Sequence, residues 1–169
     1  MKLETAINNA YRNLKDNNIK SALIDSELLM AKVFNKNREY IFLNLNKEIS
    51  REDLYIFQNM VDQRSEGKPM AYFMNKKSFW KHEFFVNKHV LIPRPDTELI
   101  IEQVLKIYKN KNKINFLDIG FGSGCLMLSI LKERRDFKAT GVEICNNALK
   151  VCKINAHKLK VSNRVKLYN

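Results

Sequence analysis

Three glycines at alternate positions, Gly120, Gly122 and Gly124, interrupt the run Asn115-Phe116-Leu117-Asp118-Ile119-Gly120-Phe121-Gly122-Ser123-Gly124-Cys125. The run reads as a short apolar strand, a turn with three positions lacking Cβ, and the start of a helix over Leu126 to Leu131. Such a turn bends sharply and lets a ligand approach the backbone, and the helix behind it aims its free N–H groups at the same place. Spacing narrows the ligand. A G-x-G-x-x-G dinucleotide fingerprint would put its third glycine where Cys125 stands, and a P-loop would need Gly-Lys-Ser/Thr, which is absent. A second strand-like run, Lys138-Ala139-Thr140-Gly141-Val142, ends in Glu143. An acidic side chain at the tip of a second strand can accept hydrogen bonds from both ribose hydroxyls of a nucleoside. Gly120, Phe121, Gly122, Ser123, Gly124 and Glu143 are therefore the candidate cofactor-binding residues. The alternative is a tight strand-to-helix turn that binds nothing, and the pairing of the turn with Glu143 argues against it.

With Asp118 two residues ahead of the first glycine, the turn reads D-x-G-x-G-x-G, which resembles the first motif of the S-adenosylmethionine-dependent methyltransferases.

The elements that must position this turn fall into three stretches: 1–68 as a helical domain, 69–95 as a hairpin and linker, and 96–169 as part of an α/β nucleotide-binding domain. Leu3, Ala6, Ile7, Ala10, Tyr11 and Leu14 recur at helical spacing, which predicts a helix from about Lys2 to Lys15. A second helix is expected from Ser21, as N-cap, to Phe34, with Leu23, Ile24, Leu28, Leu29 and Ala31 inward. Arg38 to Leu43 predicts a short third helix with Tyr40, Ile41 and Leu43 inward. Ser50, with Asp53 at the N3 position, predicts the start of a fourth, running to about Ser65 and burying Leu54, Phe57, Met60 and Val61. These read as a small bundle, serving either as a docking platform or as a packing lid. Gly67-Lys68-Pro69 marks a change of pattern. Ser78-Phe79-Trp80 and Glu83-Phe84-Phe85-Val86 predict a hairpin whose aromatic residues form a seam against the bundle rather than stack on a base. Pro93 and Pro95 hold Val90 to Leu99 extended, and Asp96 or Thr97 is expected to cap a helix from Glu98 to Lys109.

Composition bounds the partners. The chain has 169 residues, 45% of them apolar, and a net charge of +12. The lysines are dispersed, with no stripe of alternating aromatic and basic residues, so a solvated surface is favoured over nucleic-acid binding. Cys125, Cys145 and Cys152 form no C-x-x-C pair, and His82, His89 and His157 have no ligand-like spacing, so no metal is expected. No apolar segment reaches the length of a membrane span, and the start of the chain carries no signal-like apolar run. A monomer in a reducing cytoplasm is the expectation.

Leu91-Ile92-Pro93-Arg94-Pro95-Asp96-Thr97-Glu98 looks like the L-I-P-R-P-D-T-E signature of the release-factor glutamine methyltransferases, the HemK/PrmC family. Gly67, Pro69, Ala71 and Tyr72 are similar to that family's G-x-P-x-A-Y segment, Phe79 and Trp80 to its F-W hairpin, and Asn147 to Ala156 to its A-L-x-x-A-x-x-N-A helix. The resemblance implies a helical substrate-recognition domain, a linking hairpin and the first part of a Rossmann-like class I methyltransferase domain, with S-adenosyl-L-methionine as cofactor. It implies methyl transfer to the side-chain nitrogen of the glutamine in the G-G-Q loop of a peptide chain release factor, with Arg94 and Pro95 bordering the substrate entrance. An amide nitrogen is a poor nucleophile, so such a site must hold the NH2 group in line and exclude water. Phe121 departs from the family's usual Thr, and Glu143 from its commoner Asp. The N-P-P-Y motif that holds the glutamine would lie beyond Asn169, and only three strands are found, Ile114 to Ile119, Lys138 to Glu143 and Arg164 to Tyr168. Three strands leave apolar sheet surface exposed, so the sequence is expected to be the N-terminal part of a longer enzyme, with no catalytic residue of its own and no activity alone. The alternatives are a nucleic-acid N-methyltransferase, a non-enzymatic helical binding module and, third, an NAD-dependent protein.

Overall fold

A computed structural model describes residues 1–169, which form two compact units, Met1–Met74 and Asn75–Asn169. The first is all-helical: α1 (Leu3–Asp16), α2 (Ala22–Val33), α3 (Arg38–Leu43), α4 (Arg51–Ser65) and α5 (Met70–Met74). Leu3, Ala6, Ile7, Ala10 and Leu14 line one stripe of α1 and are buried with Leu29, Met30, Ile41, Phe57 and Val61. Burial of side chains this size contributes about 1.5–3 kcal/mol each for the larger ones, which is what holds short helices that would melt in isolation. Ser50 caps α4 as its sequence predicts: its hydroxyl oxygen accepts from the Asp53 N–H at 3.0 Å and donates to the Asp53 carboxylate at 2.8 Å. Asn37 caps α3 in the same way, accepting from the Tyr40 N–H at 3.0 Å.

Several local expectations change. Ser21 does not cap α2; its hydroxyl donates to Asp25 at 2.8 Å, and that buried carboxylate also accepts from the Arg64 guanidinium at 2.8 Å. The charge network takes the hydroxyl that the helix end would have used. Leu23 and Ile24 are about half exposed and Leu43 is 86% exposed, because the inward stripe of α2 is carried by Ala22, Leu29, Met30 and Ala31, and that of α3 by Ile41 with Tyr40 packed beside it. The helix α5 was not legible as one. It follows Pro69, whose carbonyl accepts from the Tyr72 N–H at 3.0 Å, so the proline starts a helix where its neighbours suggested only a linker.

The second unit runs β1 (Lys77–Phe79), β2 (His82–Phe84), a 3-10 turn at Pro95–Thr97, α6 (Glu98–Ile107), β3 (Asn115–Ile119), α7 (Cys125–Glu133), β4 (Lys138–Val142), α8 (Asn146–Lys158) and β5 (Val165–Tyr168). The strands β1 and β2 form the expected hairpin. Phe79 and Phe84 meet edge to face, with centroids 6.1 Å apart. Both are buried in this unit's own core with Ile101, Met127 and Leu128, which anchors the hairpin in the α/β layer. Trp80, at the hairpin tip, has φ +53°, a costly value for a bulky residue. Two carboxylates hold it there: Glu98 accepts its backbone N–H at 2.7 Å and Glu133 its indole N–H at 2.7 Å. Neither Asp96 nor Thr97 caps α6 with its side chain; a turn of 3-10 helix leads into it instead.

The strands β3, β4 and β5 form a parallel sheet in that order, joined by α7 and α8 as two successive strand–helix–strand units. Phe116, Ala139 and Gly141 face the side that is packed. Leu117, Ile119, Val142 and Tyr168 point the other way, with Leu117 57% and Ile119 78% exposed. Parallel sheets are ordinarily covered on both faces, so this face is an open apolar surface. Beside the free edge of β3 lies a cavity of about 300 Å³ lined by Ile100, Val104, Tyr108, Phe116, Leu126 and Ile130. No helix is long and apolar enough to cross a membrane.

Candidate functional site

The register of β3 and β4 pairs Asp118 with Gly141 and Ile119 with Val142, so the two strands end level with one another. The glycine turn leaves the end of β3 and Glu143 leaves the end of β4, which sets them side by side at the carboxyl edge of the sheet. Ligands of open α/β sheets bind at that edge.

The three glycines have different physical reasons. Gly120 and Gly122 have φ of +75° and +52°, and a Cβ on either would meet nothing within 4 Å. Their Cα atoms face open space. Gly124, with φ +77°, is a packing glycine: a Cβ there would lie 2.5 Å from the Cys152 sulfur and 3.0 Å from Leu128. It lets α7 sit close to α8.

The amide groups of these glycines are all engaged internally. The Gly120 N–H donates to the Val142 carbonyl at 2.8 Å, and the Gly124 N–H to the Phe121 carbonyl at 2.7 Å. The Gly122 N–H donates to one Glu143 carboxylate oxygen at 2.9 Å, and the other oxygen accepts the Cys145 N–H at 3.0 Å. Glu143 is therefore clamped in place by two backbone donors, and each oxygen keeps a lone pair for a further donor. The Asn169 carboxamide steadies the same bend, donating to the carbonyl of Glu143 at 2.7 Å and of Ile144 at 3.0 Å.

Asp118, the first residue of the D-x-G-x-G-x-G motif but not among the candidate binding residues, joins this acidic edge. Its carboxyl is pushed above the ordinary 3.8 by burial and then by the nearby Glu143 charge. Its place two residues before Gly120 was the available signal. Burial likewise raises the Cys125 thiol, and it pushes Cys152 to about 12, with smaller contributions from Asp118, Cys125 and Glu143. Both thiols stay protonated and act as packing groups.

Among the residues singled out from sequence, the structure brings Gly120, Gly122, Gly124 and Glu143 together. The Phe121 side chain turns inward: it is buried in the core and its ring lies over Gly141, where a Cβ would come within 2.6 Å of it. Only its backbone belongs to the turn. The Ser123 side chain is buried too. Arg94 and Pro95 stand exposed at the 3-10 turn before α6, and no hydrogen bond or ion pair ties the Arg94 side chain to the glycine turn. No group of three or more His, Cys, Asp or Glu side chains is placed to hold a metal ion.

A helical unit followed by a parallel strand–helix layer, with a glycine turn beside an acidic strand end, is the opening part of a Rossmann-like α/β fold. Residues 5–74 match the family model of the PrmC N-terminal domain. The chain is 35% identical to a release factor glutamine methyltransferase of Clostridium acetobutylicum, over 100% of this chain and 59% of that protein. It is 38% identical to the enzyme of that name from Leptospira interrogans, over 85% of this chain and 50% of that protein. A bifunctional methyltransferase of Rickettsia typhi is 31% identical over 98% of this chain and 35% of its own length. The chain is thus similar in sequence to release factor glutamine methyltransferases, and it spans about half the length of the first two of these proteins.

Proposed function

We propose that the glycine turn and Glu143 bind S-adenosylmethionine, and that the chain serves N5-methylation of the glutamine in a peptide chain release factor. The observation that carries this reading is the Glu143 carboxylate docked on the Gly122 N–H at 2.9 Å. It leaves two acceptor positions at the strand end, suited to the two hydroxyls of a ribose. The rest of the turn selects against phosphate. A phosphate cradle needs free backbone N–H groups, and the three glycine amides here are already engaged. Asp118 and Glu143 add negative charge where a pyrophosphate would need the opposite. They suit a nucleoside that carries positive charge, as a sulfonium and an ammonium group do. The open space over Gly120 and Gly122 admits such a ligand to van der Waals contact with the chain.

When bound, the cofactor would supply an electrophilic methyl group. This chain's residues would hold its sugar through Glu143 and place its charged end near Asp118. None of the 169 residues forms the N-P-P-Y motif that orients a glutamine amide in the family the chain resembles. Arg94 and Pro95 are proposed to border the substrate entrance, and the helical unit to meet the release factor.

Titration calorimetry with S-adenosylhomocysteine tests the reading. Binding is expected for the wild-type chain, and Glu143→Ala is expected to weaken it by at least about tenfold, the equivalent of one charge-assisted hydrogen bond. Wild-type protein that ignores S-adenosylhomocysteine but takes NAD or a nucleotide phosphate would overturn it.

A further inference from the structure

Asn155 lies on α8, outside the turn, and is fully buried. Its carboxamide oxygen accepts the Phe85 N–H at 2.7 Å, and its nitrogen donates to the Phe85 carbonyl at 3.0 Å and to the Ser123 carbonyl at 2.9 Å. One side chain thus pairs with the exit of the β1–β2 hairpin as a neighbouring strand would, and with its remaining donor hooks the glycine turn. The turn needs such a hold. Gly120, Gly122 and Gly124 all have positive φ, and glycine gives up more conformational freedom on ordering than any other residue. The other hydrogen bonds that fix the turn come from within it, from the ends of the strands or from the first turn of α7. The carbonyl of Ser123 belongs to the same peptide plane as the Gly124 N–H, so holding one end of that plane fixes the other, and with it the first turn of α7.

We infer that Asn155 is a positioning residue for nucleoside binding: it orients the Ser123–Gly124 peptide and ties it to the hairpin exit at Phe85. This rests on the glycine turn being the nucleoside site, and it adds a residue that does not itself touch the ligand. It also implies that the turn and the hairpin exit respond together when the site fills.

The test uses the full chain labelled with ¹⁵N, with Asn155→Asp and, as a comparison core lesion, Val161→Ala, since Val161 is buried in the core of the same unit. Asparagine to aspartate keeps the shape and the acceptor for the Phe85 N–H but removes both donors. The Gly124 ¹⁵N resonance, which reports hydrogen bonding at the preceding carbonyl, is expected to move in Asn155→Asp and stay in Val161→Ala. Affinity for S-adenosylhomocysteine is expected to fall by about tenfold in the first, from the loss of a buried hydrogen bond, and by less than about twofold in the second. Equal affinity losses in the two variants at similar thermal midpoints, or an unmoved Gly124 resonance, would reduce Asn155 to a packing residue and overturn the inference. If Asn155→Asp fails to fold, the wild type decides. On saturation with S-adenosylhomocysteine, the Asn155 carboxamide and Phe85 amide resonances are expected to shift along with those of residues 120 to 124, and a shift confined to the turn would refute the linkage. Should wild-type protein bind no S-adenosylhomocysteine, the functional reading fails, while the Gly124 resonance still judges the Ser123–Asn155 hold; wild-type Asn155 carboxamide protons that exchange freely with solvent would then refute it.

Discussion

Two demands meet at Gly124 that are separate at Gly120. Both residues have positive φ, which costs an L-residue about 1 kcal/mol or more. At Gly124 a methyl group would also run into the Cys152 sulfur and Leu128. Gly124→Ala is therefore expected to destabilise the second unit by roughly 2–4 kcal/mol, the strain plus the overpacking cost, whereas Gly120→Ala loses about 1 kcal/mol. Denaturant melts of the two variants check this. Gly120→Ala should show its larger effect on S-adenosylhomocysteine affinity, because its methyl group enters the space left open beside the turn. Asp118 gives a pH signature. Its folded-state pKa lies above the ordinary 3.8, so its contribution to stability is fully present below 3.8 and is lost as pH rises through the raised value. Asp118→Asn abolishes that loss. The thermal midpoint of the variant is expected to exceed that of the wild type at neutral pH, and the gap to close as the pH falls below 3.8. Scanning calorimetry across that range reads it. The same variant should bind a cationic nucleoside less tightly.

The contrast between α2 and α4 shows how an identical residue type at a helix entrance can differ. Ser50 satisfies an orphan N–H of α4, so Ser50→Ala is expected to cost about 1 kcal/mol in a chemical melt. Ser21 makes no such cap; its hydroxyl serves the buried Asp25–Arg64 pair. At element scale the sequence was a good guide where the signal is local. Helices α1, α3 and α4 lie within a residue of the expected bounds, the three parallel strands stand where the apolar runs placed them, and the hairpin strands end one to two residues earlier than expected. It misjudged positions whose facing depends on a distant partner, such as Leu23 and Ile24 on α2 and Leu43 on α3. Only the packed helices decide which stripe of a short apolar helix turns inward.

Across the molecule the main exposed apolar surface is the bare face of the β3–β4–β5 sheet. Leu117, Ile119, Val142 and Tyr168 line it, and Ile144 beyond it is 94% exposed. Exposed apolar area of this kind draws hydrophobic dyes and self-association. Ile119→Lys should shift the folding free energy by no more than about 0.5 kcal/mol, as surface substitutions do, and should lower dye binding and light scattering. A large loss of stability in that variant would mean that the face is covered in solution. The chain carries a net charge of +12, while the site's own groups, Asp118 and Glu143, are acidic. Net charge therefore says little about the ligand here, and local placement says more.

The order of residues alone determined that a glycine turn follows one strand, that a carboxylate ends the next, and that Pro93, Arg94 and Pro95 stiffen the approach to α6. Each is a matter of backbone freedom within a few residues, which residue type controls directly. Tertiary structure decided that β3 and β4 pair in the register that brings Glu143 onto the Gly122 amide, that Phe121 fills the space above Gly141, and that Asn155 reaches both Ser123 and Phe85. Those contacts join residues 20 to 70 positions apart in the chain. Their partners are chosen by strand pairing and core packing, and no local pattern of residue types encodes them.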